Sequence, residues 1–277
     1  MVRSGLAVAC LLICLASARA ETPLERGKYL MSSIVACGNC HTQQTPQGPV
    51  PGKELAGGTR FEEGFGVAYA PNITPDAETG IGKWTDKQII TAIREGKRPD
   101  GRIIGPPMPI ALYRDMSDED VRAIVAYVRQ VPPVANKVAK SEYKMPLPPA
   151  YGPPITAPVT APAKSGKVAY GAYLAGPMGH CIECHSSPGP HGAPDIEHRL
   201  GAGGMDFHGP WGVTVARNIT PTALKEWSDA DIKKAITTGM RPNGEHLKPP
   251  MAFGYYKNIA ADDLDAIVAY LRSLKPL

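Results

Sequence analysis

Two short runs in this 277-residue chain each place two thiols and an imidazole within five residues. They are the Cys-x-x-Cys-His motifs at 37–41 and 181–185. Positions i, i+3 and i+4 of one helical turn share a face, so these groups can approach a flat ligand from one side. The pattern is the attachment signature of haem c, with two thioether bonds and a proximal His–iron bond. The predicted members are Cys37, Cys40 and His41 in the first motif and Cys181, Cys184 and His185 in the second.

Other chemistry of Cys-x-x-Cys pairs fits the sequence less well. One such pair also suits zinc or a redox dithiol, and four cysteines in an exported chain could form two disulfides. A zinc site would need further Cys or His ligands at matched positions, and only His41 and His185 repeat. Two motifs, each with its adjacent His, therefore predict two covalently bound haems c.

The iron ligand opposite each His is predicted to be a methionine. Of nine Met, only Met108 and Met251 occupy equivalent positions, 67 and 66 residues after their His, and each follows Pro. A Met ligand raises the reduction potential of haem relative to a second imidazole. We interpret the others as core-filling residues: Met31, Met116, Met145, Met178, Met205 and Met240.

Histidines of the second half are the rival ligands. We expect them to be solvated loop residues, although His246 or His208 could replace Met251 and lower the potential of that haem. The full set is His180, His191, His198, His208 and His246.

Two arginines and two tryptophans that repeat are candidates for contacts with haem propionates. Arg98 and Arg241 offer a guanidinium fork that matches a carboxylate, and a surface turn position is the alternative. Trp84 and Trp227 offer indole N–H donors, and simple packing is the alternative.

The second half of the sequence copies the first, with an offset of 143 to 146 residues. We therefore predict a signal peptide at 1–20, module 1 at 21–131, a Pro-rich linker at 132–165 and module 2 at 166–277. Matching segments are 27–30 with 171–174, 72–75 with 218–221, 98–101 with 241–244, and 123–127 with 266–270.

Three helices are predicted in each module. The first is expected at 23–35 and 167–175. The second follows a cap at Thr85 or Ser228 and ends at Gly96 or Gly239. The third opens at 117 with a capping-box pattern, carries apolar residues at helical spacing, and has its copy in module 2. Tyr127 and Tyr270 are expected to pack this helix against the first, near Gly27 and Gly171. Short strands are expected at 67–70 and 213–216.

The segment 132–164 is expected to be extended, because its nine prolines prevent regular helix. Four apolar residues favour docking across one module over a freely flexible tether. They are Tyr143, Met145, Leu147 and Tyr151.

The amino end has the pattern of a cleavable export signal. Arg3 precedes an apolar run at 6–15, and Ala18 and Ala20 stand at the two key positions before the expected cleavage site at Glu21, with a retained anchor as the alternative. Cys10 and Cys14 would leave with this segment. No later run has the length of a membrane helix, so we expect no integral membrane segment after cleavage. The formal charge of +4 lacks the clustered basic residues of a nucleic-acid-binding protein.

The chain resembles class I cytochromes c twice over. More narrowly, both modules resemble the cytochrome c subunits of bacterial periplasmic alcohol, aldehyde, gluconate and nicotinate dehydrogenases. The residues that carry the resemblance are 72–75 with 80–86, 100–101, 107–109 and 118–120. It covers nearly all of 25–131 and, more loosely, 168–275, where module 2 lacks the Gly-Ile-Gly piece of 80–82. Those subunits commonly carry three haem modules and a carboxy-terminal membrane helix, whereas this sequence shows two modules.

The resemblance implies a mainly α fold of two tandem class I modules with long Gly/Pro-rich loops. It implies a periplasmic dihaem cytochrome that relays single electrons from a dehydrogenase or other respiratory donor to an oxidase or soluble cytochrome. We expect no catalytic residues. The alternative is a dihaem redox enzyme of the peroxidase or thiosulfate dehydrogenase type. That alternative needs a haem with an exchangeable ligand, and the paired Met108 and Met251 argue against it. A subunit fixed inside a larger respiratory complex is also open.

Overall fold

The computed structural model describes residues 20–45, 48–189, 192–209 and 211–277. The predicted signal peptide lies outside these residues apart from Ala20, and so does His191. Within the described ranges, no helix is both long enough and apolar enough to cross a membrane.

Module 1 consists of short helices around two small hairpins. Its helices are α1 (Pro23–Ser32), α2 (Cys37–His41), α3 (Asp86–Glu95), α4 (Ile110–Tyr113) and α5 (Asp118–Val128). Its strands are β1 (Gln44–Thr45), β2 (Gly48–Pro49), β3 (Arg60–Glu63) and β4 (Gly66–Tyr69), paired antiparallel as β1 with β2 and β3 with β4.

Module 2 follows strand β5 (Glu142–Tyr143) of the linker and shares most of this order, with the additional helix α8 and, in the described residues, no counterpart of the β1–β2 pair. Its helices are α6 (Lys167–Tyr173), α7 (Cys181–His185), α8 (Pro221–Leu224), α9 (Asp229–Thr238), α10 (Phe253–Tyr256) and α11 (Ala261–Ser273). Its antiparallel strands are β6 (Asp206–Gly209) and β7 (Gly212–Val215). Helix predominates over strand in the described residues, as predicted.

The second predicted helix of each module begins and ends at the predicted capping residues. In α3 the Thr85 hydroxyl accepts from the Gln88 backbone N–H at 3.2 Å, and the Gln88 side chain accepts from the Thr85 N–H at 2.8 Å. Gly96 then takes a left-handed φ of 66°, which ends the helix. Ser228 and Gly239 play the same parts for α9. These boundaries are confirmed because local hydrogen bonding decides them.

The close crossing of the first and last helices is also confirmed in both modules. Gly27 of α1 lies on the backbone carbonyl of Ala123, and a Cβ at Gly27 would stand 2.9 Å from the Cβ of Tyr127. Gly171 of α6 lies in the same way on α11, 2.9 Å from the Cβ of Tyr270. A missing side chain thus lets each helix pair approach to backbone contact.

The two modules meet through a reciprocal pair of buried hydrogen bonds. The Tyr29 hydroxyl of α1 donates to the Asp263 carboxylate of α11 at 2.7 Å, and the Tyr173 hydroxyl of α6 donates to the Asp120 carboxylate of α5 at 2.6 Å. Each module therefore supplies one tyrosine and one aspartate to the other, in a self-complementary arrangement typical of two-fold interfaces.

This interface changes the predicted capping box of α5. The Ser117 hydroxyl accepts from the Asp120 N–H at 3.1 Å, as expected. The Asp120 carboxylate does not return to Ser117, because it accepts from Arg26 at 2.7 Å and from Tyr173. The Ser117 N–H instead donates to the Tyr173 hydroxyl at 3.1 Å. The Tyr173 hydroxyl of the other module thus accepts the hydrogen bond that the Asp120 carboxylate would accept in a complete capping box.

The linker is extended and docks on module 1. Strand β5 adds to β4, with Tyr143 opposite Gly66. Tyr143, Leu147 and Tyr151 are partly buried, whereas Met145 is 45% exposed and does not dock, contrary to expectation. Met145 follows the end of β5 at a bend in the chain, so pairing with β4 no longer holds it against the module.

One predicted helix has a different ending. The first helix of module 2 continues from α6 into a π-helical turn, Leu174–Met178, with Pro177 inside it. Proline has no backbone N–H to donate, which is consistent with the widened turn at this point. The strands β3 and β6, and the short helices α4, α8 and α10, were not predicted, because each is too short to show periodicity.

Replacement of Gly27 by Ala should destabilise the protein. The new methyl group would overlap the α5 backbone, and over-packing of this kind costs about 1–3 kcal/mol. Gly64→Ala is the control, because a Cβ there would meet nothing within 4 Å. Denaturant unfolding of the purified protein, followed by circular dichroism, measures the difference. Equal midpoints for the two variants would contradict the backbone contact.

Candidate functional site

Both Cys-x-x-Cys-His motifs form their own one-turn helices, α2 and α7. Each starts after a residue with left-handed backbone, Ala36 with φ of 48° and His180 with φ of 41°. This turn directs the chain from the first helix of the module into the motif. All four cysteines of the motifs are free thiols rather than disulfides, so each is available for a thioether bond.

The motif histidines are oriented by backbone carbonyls. The His41 Nδ1 donates to the Pro71 carbonyl at 2.8 Å, and the His185 Nδ1 donates to the Arg217 carbonyl at 2.7 Å. A carbonyl only accepts, so Nδ1 carries the proton and Nε2 keeps its lone pair for a metal. Burial lowers the pKa of both imidazoles, which favours this neutral form. The donor set therefore fits a proximal haem ligand in each module.

Burial also favours the protonated form of the four cysteine thiols. It raises the pKa of Cys37 to about 12, and that of Cys40 and Cys181 to about 11. Burial likewise raises the pKa of Cys184, with further contributions from Glu183, Cys181 and Cys40.

One group of possible metal ligands occurs in the described part of the chain. His180, Glu183 and Cys184 have ligand atoms within 4.8 Å of one another. Cys184 belongs to the second motif, so this group is part of the predicted attachment site rather than a separate metal site.

Met108 and Met251 occupy equivalent places in the structure as well as in the sequence. Both are partly buried against the core, in the loop that precedes a short helix. The Met108 carbonyl accepts from the Ile110 N–H at 2.8 Å, and the Met251 carbonyl accepts from the Phe253 N–H at 3.0 Å. Their role as iron ligands remains a prediction. Among the other methionines, those fully enclosed by the core are Met31, Met116 and Met178.

The rival histidines lie in varied surroundings. His208 and His246 are exposed, and the His198 ring is bonded to Asp195 at 3.1 Å. His180 is half-buried, with its Nδ1 3.4 Å from the Glu183 carboxylate. His191 lies outside the described residues.

The candidate propionate contacts differ between the modules. In module 1 the Arg98 guanidinium lies 5.1 Å above the Trp84 ring. Its Nε is buried without a hydrogen-bond partner, since the nearest Asp100 oxygen is 3.9 Å away. Burial lowers the pKa of Arg98. A buried unpaired donor costs free energy unless an acceptor arrives, so Arg98 suits a carboxylate ligand.

In module 2 the corresponding arginine already has a partner. Arg241 forms an ion pair with Glu245, and Trp227 packs against the core. The structure therefore brings together Arg98 and Trp84 and pairs Arg241 with Glu245, and the propionate contacts of all four residues stay predictions.

The two motif helices lie on either side of the module interface. Helix α4 contacts the π-helical turn, and the Tyr113 ring lies 6.1 Å from the His180 ring, edge to face. A Cβ at Gly179 would stand 2.7 Å from Ile34, and one at Gly38 would meet the Tyr255 hydroxyl. The segments that carry the thiols are thus packed against each other.

Two buried tyrosines near the thiols were missed by sequence reasoning. Burial raises the pKa of Tyr113 and of Tyr256 well above the ordinary value, and the motif cysteines of the same module contribute to each shift. For Tyr256, Cys40 also acts from the other module. A comparison of the two modules could have identified these residues, because Tyr113 and Tyr256 occupy the same position in the repeat.

Two further polar atoms without partners lie in the β6–β7 hairpin. The Trp211 Nε1 and the Thr214 Oγ1 are buried, and neither makes a hydrogen bond. Sequence reasoning missed them because Trp211 has no Trp counterpart in module 1, where Phe65 stands at the matching position.

A family model described as cytochrome c matches two regions of the chain, residues 24–132 and 163–275. These regions contain both motifs and both candidate methionines.

Curated relatives extend the match over most of the chain. A component of the nicotinate dehydrogenase of Pseudomonas putida is 31% identical over 91% of this chain but only 21% of its own length. The cytochrome c subunit of the quinone alcohol dehydrogenase of Gluconobacter oxydans is 30% identical over 92% of this chain and 55% of its own length. The chain thus spans only part of these relatives. A dihaem c-type cytochrome of Cereibacter sphaeroides is 30% identical over 85% of this chain and 81% of its own length.

Arg98→Gln should change the pH dependence of one haem midpoint potential more than Arg241→Gln does. Loss of an adjacent cation raises the pKa of a propionate, so its titration moves toward neutral pH. Arg241→Gln is the matched control, because Glu245 already neutralises that guanidinium. Potentiometric titration between acidic and alkaline pH measures both. Indistinguishable curves for the two variants would remove Arg98 from the propionate site.

Proposed function

Because the chain belongs to the cytochrome c family, we propose that it is a dihaem electron carrier built from two class I modules. The observation that supports this most directly is the packing of the two motif helices against one buried interface. A single polypeptide thereby offers two neighbouring redox sites. The relatives named as cytochrome subunits are not the catalytic subunits of their dehydrogenases, and this chain is likewise an electron-transfer protein rather than an enzyme.

The chain's own residues assign the ligands. Cys37 and Cys40 would hold the first haem by thioether bonds, with His41 and Met108 as the iron ligands. The second haem would be held by Cys181, Cys184, His185 and Met251. When bound, each haem would supply a reversible one-electron iron couple. With a His and a Met on each iron, no position would remain for a substrate.

The remaining work of the protein is orientation and exclusion of water. The carbonyls of Pro71 and Arg217 fix the two imidazoles, so each Nε2 lone pair is held in one orientation and would be available to iron. Tyr113 and Tyr256 fill the interface beside the thiols and are buried. Electron exchange between the two attachment edges would therefore cross packed protein rather than bulk water.

Partners and location follow from the relatives and from the amino end. We infer that a dehydrogenase subunit supplies the electrons and that an oxidase or soluble cytochrome accepts them. The relatives that support this are cytochrome subunits of alcohol, fructose and gluconate dehydrogenases. The export pattern at 1–20 supports a periplasmic site, where the thioether bonds would be made.

The purified protein should carry two haems that survive denaturation. Thioether bonds resist acid-acetone extraction, so intact mass should exceed that of the processed chain by two haem groups. Replacement of both Cys37 and Cys40 by Ala should leave one. A redox titration should resolve two midpoints, because the modules differ in sequence. A mass equal to the bare processed chain, or colour lost on extraction, would refute the proposal.

Met251→Ala should open the second haem without unfolding module 1. Loss of the methionine sulfur leaves a free iron position to which carbon monoxide can bind in the reduced protein. The reduction potential of that haem should also fall. Met145→Ala is the control, since its side chain is 45% exposed on the linker. Optical spectra with and without carbon monoxide measure the change. If wild-type protein binds carbon monoxide tightly at neutral pH, the redox-enzyme alternative gains support instead.

A further inference from the structure

The loops that carry the two candidate methionines are covered differently. In module 1 the loop 104–108 leads to Met108, and part of the linker lies across it. We call this part, residues 141–153, the linker strap. In module 2 the matching loop 247–251 leads to Met251.

The linker strap is anchored to module 1 on both sides of this loop. On one side the Ser141 hydroxyl accepts from the Tyr69 N–H at 3.0 Å, and the Lys144 N–H donates to the Phe65 carbonyl at 2.9 Å. On the other side Arg114 donates to the Pro153 carbonyl at 2.5 Å. The segment between these anchors is therefore held against the loop.

Two phenol groups of the linker strap bind the loop backbone directly. The Tyr143 hydroxyl donates to the Pro106 carbonyl at 3.1 Å, and the Tyr151 hydroxyl donates to the Ile104 carbonyl at 2.8 Å. These carbonyls belong to residues two and four positions before Met108.

Packing between the two phenols is equally close. Gly105 is buried, and a Cβ there would stand 2.6 Å from the Tyr143 ring and 2.7 Å from the Leu147 side chain. The glycine is therefore required by the approach of the linker strap, which buries the loop at Gly105 and leaves Pro107 exposed.

Module 2 has no such cover in the described residues. There the Gly105 position is taken by Lys248, and both Lys248 and Pro249 are exposed. Across the described ranges, no side chain donates to the carbonyls of Leu247 or Pro249. A lysine at this position would also obstruct a strap that packed as Leu147 does.

We propose that the linker strap is a positioning device for the Met108 loop, with Tyr143 and Tyr151 as the positioning residues. The first haem is thereby held closed, and the second haem is the one at which an external ligand replaces methionine first. This inference rests on the proposed ligation by Met108 and Met251.

The size of the effect follows from the two hydrogen bonds. A ligand that displaces methionine must move the loop, and movement of the Met108 loop breaks both phenol contacts. Two bonds of ordinary net strength together change an equilibrium by about 10- to 30-fold. Removal of both hydroxyls should therefore tighten external ligand binding at the first haem by a similar factor.

The test is a cyanide titration of the oxidised holoprotein. Wild-type protein should bind cyanide in two phases, and the tighter phase should be the one that Met251→Ala alters. Tyr143→Phe combined with Tyr151→Phe should tighten only the weaker phase, and should lower the midpoint potential of the first haem. The single Phe variants, each of which keeps its ring, should give intermediate shifts and serve if the double variant folds poorly.

Tyr69→Phe is the matched control, because it removes a phenol from the same sheet and should move neither phase. Unchanged cyanide phases and potentials in the double variant would overturn the role of the linker strap, provided that wild-type protein shows the charge-transfer band of methionine on ferric iron. Absence of that band from wild-type protein would instead overturn the proposed ligation. Equal cyanide affinity of both haems in wild-type protein would also contradict the inference.

Discussion

The arrangement of this protein depends on two buried carboxylates that are each completed by the opposite module. Asp120 and Asp263 are both 3% exposed, at the first turn of α5 and α11. A carboxylate in such a place is stable only when hydrogen-bonded, and loss of a partner commonly costs about 3–5 kcal/mol. The tyrosines that satisfy them, Tyr173 and Tyr29, lie on the helices that lead into the motifs. The same bonds that join the modules therefore also place both motif helices beside the interface.

Local rules made much of the fold predictable from sequence. The caps at Thr85 and Ser228 and the left-handed Gly96 and Gly239 depend on neighbouring residues, so the pattern specified them. The interface could not be predicted in the same way. Asp120 stands at the position of a capping residue in the sequence. Its carboxylate can accept a hydrogen bond from Tyr173 only when the two modules are docked. The strands β3 and β6 and the one-turn helices α4, α8 and α10 were not predicted for a related reason, because segments of four residues show no periodicity and are stabilised by tertiary contacts.

The residues of the candidate site could be predicted from the sequence, but the differences between the two modules could not. The repeat located the motif residues and the paired methionines, and it gave Arg98 and Arg241 the same role. Their surroundings differ at two positions of this turn, where Asp100 and Arg102 of module 1 are replaced by Asn243 and Glu245 of module 2. Arg102 takes up the Asp100 carboxylate at 2.6 Å, whereas Glu245 pairs with Arg241. The changed charges thus leave the Arg98 Nε without a hydrogen-bond partner and neutralise Arg241, an outcome visible only once neighbours are placed.

A single linker between two copies of a domain cannot make the same contacts with both copies. Here its chain leaves module 1 and turns back across that module's sheet and ligand loop before it reaches α6. Gly105 permits this approach, whereas Lys248 at the matching position in module 2 does not. The two modules therefore carry similar candidate sites, and the linker between them makes the surroundings of the two methionine loops unequal. Unequal burial and hydrogen bonding are the means by which a protein separates the potentials of chemically identical haems. A difference of this kind gives a two-centre relay a preferred direction of electron flow.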